Sequence, residues 1–204
     1  MFTGIIEDLG TVESLRPNQQ GAVVTIRTGL PVSKIAIGDS ISINGCCLTV
    51  VSKGRGKIAM DVSAETLRRT TLGAFKAGTR VNIERCLTLD KLVGGHLVAG
   101  HVDGVGKIVA IKPEGDSHLY TFEVKRLESR YLVEKGSVSI DGISLTVFGI
   151  KGRTFNVAVI PHTLKVTTLG TKKIGDRVNI ESDMMVKYVE RILTARKMTG
   201  ARAA

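Results

Sequence analysis

Two adjacent cysteines are the residues in this sequence whose side chains are best suited to chemistry. Cys46 and Cys47 lie in a run with Leu48, Thr49 and Val50, which is typical of a β-strand. Side chains alternate between the faces of a strand, so Cys46 shares a face with Leu48 and Val50 and is expected to be buried. Cys47 lies on the opposite face with Thr49. A thiol that other molecules can reach can act as a nucleophile. The alternative is that the face with Cys47 and Thr49 is simply exposed to solvent and has no chemical role.

A glycine-rich stretch around two histidines, residues 94–102, is the second candidate. His101 follows Gly100, and glycine permits close approach by another backbone or by a ligand. A histidine that is simply hydrogen-bonded at a domain junction is the alternative. The 4 histidines and 3 cysteines lack the paired spacing of zinc ligands, and no metal site is predicted. The phosphate-loop, dinucleotide-binding and Gly-x-Ser-x-Gly motifs do not occur.

The composition is that of an ordinary globular protein, with 43% hydrophobic and 24% charged residues among 204. The formal net charge of +10 favours acidic or phosphorylated partners, or serves solubility. Nucleic-acid binding is not favoured, because aromatic residues make up only 4% and tryptophan is absent. No apolar run suits a membrane span, the first residues do not resemble a signal peptide, and the cysteines make no disulfide framework. A reducing cytoplasm is therefore expected.

The sequence contains an internal repeat with a period of about 97 residues. Residues 40–50 read SISINGCCLTV and residues 137–147 read SVSIDGISLTV. The register continues without a gap, and 40–85 matches 137–182 at 21 of 46 positions. A repeat of this length indicates a duplicated small domain. In the second copy Ile143 replaces Cys46 and Ser144 replaces Cys47, which supports a core position for the first cysteine and a polar face for the second.

Each half of the repeat has the pattern of a small β-barrel. Asn44-Gly45 and Asp141-Gly142 predict hairpin turns, and one short helix per half is predicted, the second with Pro161 at its first position. Apolar residues at helical spacing after Asp183, a suitable N-cap, predict a C-terminal helix whose last residues, 199–204, are frayed. Short apolar runs between turns predict strands at 22–26, 57–62, 80–84, 120–124, 154–160 and 177–181.

Several motifs together resemble the riboflavin synthases built from duplicated lumazine-binding domains. The resemblance covers about residues 1–195, and the combination is specific although each motif alone is weak. The motifs are Met1-Phe2-Thr3-Gly4-Ile5-Ile6, Asn44-Gly45-Cys46-Cys47-Leu48-Thr49-Val50, Gly94-Gly95-His96-Leu97, Gly100-His101, Asp141-Gly142-Ile143-Ser144-Leu145-Thr146-Val147 and the Thr-Thr-Leu-Gly segments at 70–73 and 167–170.

The resemblance implies an all-β fold of two tandem six-stranded Greek-key β-barrels, residues 1–96 and 97–183, and a C-terminal α-helix in residues 184–204 that forms a homotrimer. It implies a transferase that moves a four-carbon unit between two molecules of 6,7-dimethyl-8-ribityllumazine. The products are riboflavin and 5-amino-6-ribitylaminouracil, in the last step of riboflavin biosynthesis. No cofactor and no metal are implied. Some relatives sit inside a lumazine synthase capsid, and neither nucleic acid nor membrane is an expected partner.

The same resemblance implies roles for residues of both halves. Cys47 is the candidate nucleophile or polar assistant at the substrate ring, and His101 is a candidate proton carrier. Phe2 is expected to pack at the site. The supporting polar candidates are Ser40, Thr49, Ser144 and Asp183. The implied first-half site contains Gly4, Ile5, Ile6, Cys47, Leu48, Thr49, Asp61, Val62, Ser63, Ala64, Glu65, Thr66, Gly100, His101 and Val102. The implied second-half site contains Lys135, Ser144, Leu145, Thr146, Val159, Ile160, Pro161, His162, Thr163 and Leu164.

Two alternatives are weighed against this reading. A non-catalytic lumazine- or flavin-binding antenna protein shares the fold, and a basic barrel that binds nucleic acid comes from another class. The chain keeps polar residues in both halves, which favours the enzyme over the antenna. One departure is His162, at a helix start where the first half has Glu65. The sequence does not assign the donor and acceptor roles to particular barrels.

Overall fold

The computed structural model describes residues 1–125 and 129–200, with side chains as far as residue 195. The described strands form two curled sheets, one in each half of the repeat. The first half contains β1 (Asp8–Asn18), β2 (Gly21–Arg27), β3 (Ser40–Ile43), β4 (Cys46–Gly54), β5 (Lys57–Ser63) and β6 (Arg80–Arg85). The second contains β7 (Gly104–Glu114), β8 (Ser117–Glu123), β9 (Ser137–Ile140), β10 (Ile143–Thr146), β11 (Phe148–Lys151), β12 (Thr154–Val159) and β13 (Arg177–Ser182).

The first sheet closes into a barrel with the strand order β1-β2-β5-β4-β3-β6. The second sheet has the order β10-β9-β13-β7-β8-β12-β11, in which the strands keep the neighbours of their counterparts in the first half. The strand that corresponds to β4 is divided into β10 and β11 at Val147. Gly149, just beyond the division, has a φ of +61°, which a regular strand does not adopt. The predicted all-β fold of two related units is confirmed, with the second barrel opened at this point.

The predicted helices are present. Each half contains one six-residue helix: α1 (Ala64–Arg69) follows β5, and α2 (Pro161–Val166) follows β12. Proline occupies the first position of α2, as predicted. Short 3-10 turns follow both helices at Thr71–Ala74 and Thr168–Thr171. No helix in the described part of the chain is long and apolar enough to cross a membrane.

The two cysteines of β4 lie on the predicted faces of that strand. Cys46, Leu48 and Val50 are buried in the core of the first barrel. Cys47 is half-buried and Thr49 is exposed, so both lie on the outer face. The alternation expected from the repeat therefore decides which thiol another molecule can reach.

Four buried, repeat-related side chains join the halves, and we call them the seam: Asn44, Asn82, Asp141 and Asn179. Asn82 Nδ2 donates to the Asp141 carbonyl at 2.9 Å, and Asn179 Nδ2 donates to the Asn44 carbonyl at 2.8 Å. Within each half, the side chain at the hairpin turn accepts from the asparagine N–H, at 2.7 Å in both cases. Buried polar groups need such partners, so these bonds fix how the two halves meet.

The C-terminal helix α3 (Met184–Gly200) begins where the sequence predicts. Asp183 Oδ1 accepts from the Met185 N–H at 2.9 Å, as an N-cap does. Lys187 Nζ lies 2.6 Å from Asp103 Oδ1 and holds the helix to the second half. The helix extends through Gly200, so residues 199 and 200, which the sequence predicts to be frayed, are helical. The rest of the predicted frayed tail, 201–204, lies outside the described residues.

Candidate functional site

A gap between neighbouring strands opens on the surface of the first barrel. The ladder between β4 and β5 ends at the pair Val50 and Met60, although both strands continue beyond it. Alternate residues of a strand direct their backbone groups to opposite edges. The Cys47 N–H points away from β3, so Cys47 and Thr49 turn backbone groups towards the gap. The β5 residue Asp61 borders the gap on its other side.

The second half contains a gap at the related position. β11 pairs with β12, whereas β10 precedes the division of the strand and pairs with β9. The Ser144 N–H points away from β9, so Ser144 and Thr146 face this second gap. The end of β12 at Val159 forms the opposite border. Among the described strands, β4 and β10 therefore each have an edge that no neighbouring strand pairs, and such edges can supply the few convergent polar groups that orient a planar ligand.

The segments that precede β1 and β7 cross to the other half and complete these gaps. The Gly4 carbonyl accepts from the Ser144 N–H at 2.8 Å, and the Gly100 carbonyl accepts from the Cys47 N–H at 2.8 Å. The glycines have φ values of +76° and +80°. A Cβ on Gly4 would lie 2.5 Å from that of Ser144, and a Cβ on Gly100 would lie 2.6 Å from that of Cys47. Both positions therefore require glycine.

The crossing corrects the predicted grouping of site residues. The sequence groups residues 4–6 with the first-half site, but the structure places them against Ser144 and the core of the second half. Residues 100–102 lie at the first half, as predicted. The physical reason is an antiparallel bridge between Phe2 and Val98, with N–H to carbonyl distances of 2.7 and 3.0 Å, which lays the two segments side by side. The Phe2 ring is fully buried there.

Two repeat-related glutamates hold the crossing segments. Glu84 accepts from the backbone N–H groups of Thr3–Gly4 at 2.7 and 3.0 Å, and Glu181 accepts from those of Ala99–Gly100 at 2.8 and 3.0 Å. Burial raises the pKa of Glu181 above its ordinary value, and the two backbone donors oppose that rise. Sequence reasoning assigned these residues no role. Their identity in both copies of the repeat was the available signal.

Cys47 is the thiol of the adjacent pair that can reach a ligand. Burial raises the pKa of the neighbouring Cys46 to about 12, so that residue stays a thiol at neutral pH. In the register of β3 and β4, Ser42 lies opposite Cys47 and Ser40 lies opposite Thr49. These four residues form a polar outer face that adjoins the first gap. The structure thus brings together Cys47, Ser40 and Thr49, which the sequence names as candidates.

The second gap contains a histidine to which sequence reasoning gave no role. His96 Nδ1 and Ser144 Oγ are 2.7 Å apart. Burial lowers the pKa of His96, with the nearby charge of Asp183 opposing, so the imidazole is neutral at pH 7. A neutral imidazole bonded to a hydroxyl can pass a proton through it. His96 belongs to a motif of the family resemblance, but no sequence spacing indicates that Ser144 is its partner.

The other predicted residues lie at the ends of the strands that border the gaps. His101 follows the crossing glycine of the first gap and is exposed. Ser63 Oγ accepts from the Thr66 N–H at 3.1 Å and caps α1, so residues 61–66 run from β5 into that helix. Residues 159–164 make the corresponding passage from β12 into α2.

Lys135 marks a difference between the two halves. It has a φ of +63°, at the position where the first half has Gly38. Its N–H donates to the Val147 carbonyl at 2.8 Å, at the division between β10 and β11. Its Nζ lies 5.2 Å from the centre of the Phe148 ring, which is a cation–π distance. The second site therefore carries a positive charge that the first does not have at this position.

The two sites are similar in backbone and different in chemistry. The first presents the Cys47 thiol, and the second presents the Ser144 hydroxyl bonded to His96. Each combines an uncovered strand edge with hydroxyl-bearing side chains. The two sites therefore offer a ligand different chemical surroundings.

Comparison with known proteins gives the same division of the chain. The Lumazine binding domain family matches residues 3–86 and residues 99–183. These two stretches contain the first and the second sheet. Together they cover most of the chain.

Curated relatives match over nearly the whole length. Riboflavin synthase of Actinobacillus pleuropneumoniae is 45% identical over 193 residues, with 95% of this chain and 90% of that one covered. Riboflavin synthase of Mycobacterium tuberculosis H37Rv is 45% identical over 197 residues, with 95% and 98% covered. Riboflavin synthase of Bacillus subtilis is 40% identical over 193 residues, with 95% and 90% covered.

Solved structures share the fold. LumP complexed with riboflavin matches with a TM-score of 0.80 at 25% identity, over 89% of this chain and 99% of that one. LumP complexed with 6,7-dimethyl-8-(1'-D-ribityl) lumazine has a TM-score of 0.79 at 23% identity, which is a likeness of fold. The relatives at 40–45% identity are named riboflavin synthase, which favours the synthase over the antenna-type alternative. The chain contains two copies of the lumazine-binding domain and belongs to the riboflavin synthase family.

Proposed function

We propose that this chain is a transferase that converts two molecules of 6,7-dimethyl-8-ribityllumazine into riboflavin and 5-amino-6-ribitylaminouracil. One substrate releases a four-carbon unit and the other receives it. The two products together contain all the atoms of the two substrates, so the reaction balances without an external oxidant or reductant. The observation that carries the proposal is the pair of repeat-related gaps, each completed by a glycine segment of the other half.

The chemical difference between the gaps supports unequal roles for the two substrates. In this proposal Cys47 acts as a nucleophile or polar assistant at one ring. His96, neutral at pH 7, exchanges a proton through Ser144 at the other. The exposed His101 exchanges a proton with the acidic methyl group of a substrate. Holding the two rings face to face removes part of the entropic barrier, up to about 7–11 kcal/mol in the best cases.

The uncovered strand edges support a binding mode for the substrate. The heterocycle would bond to backbone groups of β4 in the first gap and β10 in the second. The ribityl chain carries several hydroxyls, which would bond to polar side chains such as Thr49 and to the starts of α1 and α2. Glu65 and His162 are both exposed at those helix starts and would give the two ribityl chains unequal contacts.

The C-terminal helix supports a homotrimer with shared sites. Five apolar side chains of α3 recur at helical spacing and are 52–62% exposed: Met185, Tyr188, Val189, Ile192 and Leu193. We propose that this stripe packs against the same stripe of neighbouring subunits. The complete site would then lie between the first barrel of one subunit and the second barrel of the next. The proposal places the enzyme in the cytoplasm, with a lumazine synthase capsid as a further partner.

A turnover assay with matched thiol variants tests this proposal. The purified chain is mixed with 6,7-dimethyl-8-ribityllumazine, and riboflavin is followed by its absorbance. Cys47→Ser is expected to lower kcat about tenfold or more with ligand affinity retained, because a general acid, base or nucleophile is weakened. Cys86→Ser, at the other half-exposed cysteine, is expected to leave kcat unchanged. If Cys47→Ser turns over as fast as Cys86→Ser, Cys47 has no chemical role. If the parent chain binds the substrate without turnover, an antenna-type protein is favoured.

A further inference from the structure

A cleft of about 530 Å³ lies between the two halves, beside the seam. Arg80 begins β6 and Arg177 begins β13, and the two occupy equivalent positions of the repeat. Both side chains are exposed and line this one cleft. Cys47 and Ser144 are not among its lining residues, so the cleft is separate from the two gaps of the proposed active site.

Arg80 and Arg177 differ from the other cations of the cleft in their partners. Arg68 pairs with Glu65 at 2.7 Å, and Lys172 lies 3.2 Å from the Asp141 carboxylate. Arg80 donates to the Thr11 hydroxyl at 3.1 Å. Within residues 1–125 and 129–195, no carboxylate forms an ion pair with either Arg80 or Arg177.

The surroundings of the cleft add positive charge. The carboxylate of the cleft, Asp176, accepts from the Lys173 N–H at 2.8 Å and closes the turn before β13. A neighbouring cleft of about 340 Å³ shares Arg68 and Arg177 and adds Arg69 and Lys125. Its carboxylate, Asp103, pairs with Lys187 at 2.6 Å, and Arg69 lies 3.6 Å from Glu65. Like charges collected in a concave surface repel one another and attract an anion.

We propose that this cleft binds a phosphate-bearing small molecule through Arg80 and Arg177, one arginine from each half. The guanidinium group is planar and matches two phosphate oxygens at once, which makes arginine the preferred partner of phosphate. A multiply charged anion balances two guanidinium groups. A ligand held in this way bridges both halves at the seam, so its binding should stabilise their association.

Titration of the full chain with pyrophosphate tests the proposal. Binding is measured by calorimetry and by the shift in Tm, with ionic strength held constant by sodium chloride. We expect saturable binding with a rise in Tm. Arg80→Gln and Arg177→Gln are each expected to raise the Kd about tenfold or more, since each removes a charge-assisted pair. Arg16→Gln, the same change at an exposed arginine of β1 outside the cleft, is expected to leave the Kd within about twofold.

Three results would overturn the proposal. They are the absence of saturable binding, an equal loss of affinity in the Arg16→Gln control, and an unchanged Kd in both cleft variants. Should either glutamine variant unfold more easily without anion, the variants Arg80→Lys and Arg177→Lys decide. Lysine keeps the charge and loses the paired donors, so the Kd should rise by less than in glutamine variants and by more than in the control.

Discussion

One ion pair beside the seam has no counterpart in the other half, and exchanging its residues tests how the halves are held together. Asn44 and Phe75 of the first half correspond to Asp141 and Lys172 of the second. Asp141 is 0% exposed, and its Oδ2 lies 3.2 Å from the Lys172 Nζ, whose side chain is 19% exposed. Asp141→Asn and Lys172→Phe, singly and together, install the chemistry of the first half in the second.

The expected magnitudes follow from what each change leaves behind. Lys172→Phe leaves a buried carboxylate with the Asn179 N–H at 2.7 Å and without its cation. Removing one partner of a buried ion pair costs about 3–5 kcal/mol, and we expect the lower end because Lys172 is partly exposed. Asp141→Asn keeps the acceptor for that N–H and should cost about 1 kcal/mol. The double variant should lie no more than about 1 kcal/mol below the parent, which gives a coupling energy of about 3–4 kcal/mol.

Urea unfolding of the four proteins at several pH values measures these effects. Burial raises the pKa of Asp141 above its ordinary value of 3.8, although Lys172 opposes the shift. The folded state therefore binds a proton that the unfolded state has already lost. The free energy of unfolding contributed by this group falls as pH rises from about 3.8 through the raised folded pKa. Asp141→Asn should remove that slope. A cost below about 1 kcal/mol for Lys172→Phe, or a double variant as unstable as the sum of the singles, would refute the reasoning.

Three further predictions concern the sites. Gly100→Ala should lower the free energy of unfolding by at least about 2 kcal/mol more than Gly38→Ala. Both glycines have a positive φ, but only a Cβ at residue 100 would collide with a neighbouring residue. Equal losses of stability in urea unfolding would contradict the crossing. Cys46 should resist maleimide in the folded protein at pH 8, because burial raises its pKa to about 12, and modification found there by peptide mapping would count against the buried strand face. His96→Gln should lower kcat about 100-fold with the Kd for riboflavin retained, since glutamine cannot accept a proton as the neutral imidazole does. An unchanged kcat would remove His96 from the mechanism.

The repeat made much of the fold predictable from sequence. Local alternation within β4 decided the faces of Cys46 and Cys47, because strand geometry depends on neighbouring residues alone. Comparison with Ile143 and Ser144 in the second copy gave the same assignment. The start of the last helix at Asp183 was also readable, since an N-cap acts on the residues directly after it.

The pairing of the crossing segments was not predictable in this way. Gly4 and Gly100 occupy related positions of the repeat, so their local sequence does not indicate which strand edge each one meets. Their partners are chosen by the Phe2 and Val98 bridge, a contact between residues far apart in sequence. The bond between His96 and Ser144 depends on the same arrangement. Long-range contacts of this kind leave no periodic signal in the chain.

The most direct test of the central claim is the product ratio. The chain is incubated with 6,7-dimethyl-8-ribityllumazine, with no metal or cofactor added, and substrate and products are quantified by chromatography. If the two gaps act on two copies of one substrate, each pair of lumazine molecules consumed should give one riboflavin and one 5-amino-6-ribitylaminouracil. A stable complex without products, or riboflavin formed in any other ratio to substrate, would contradict the account.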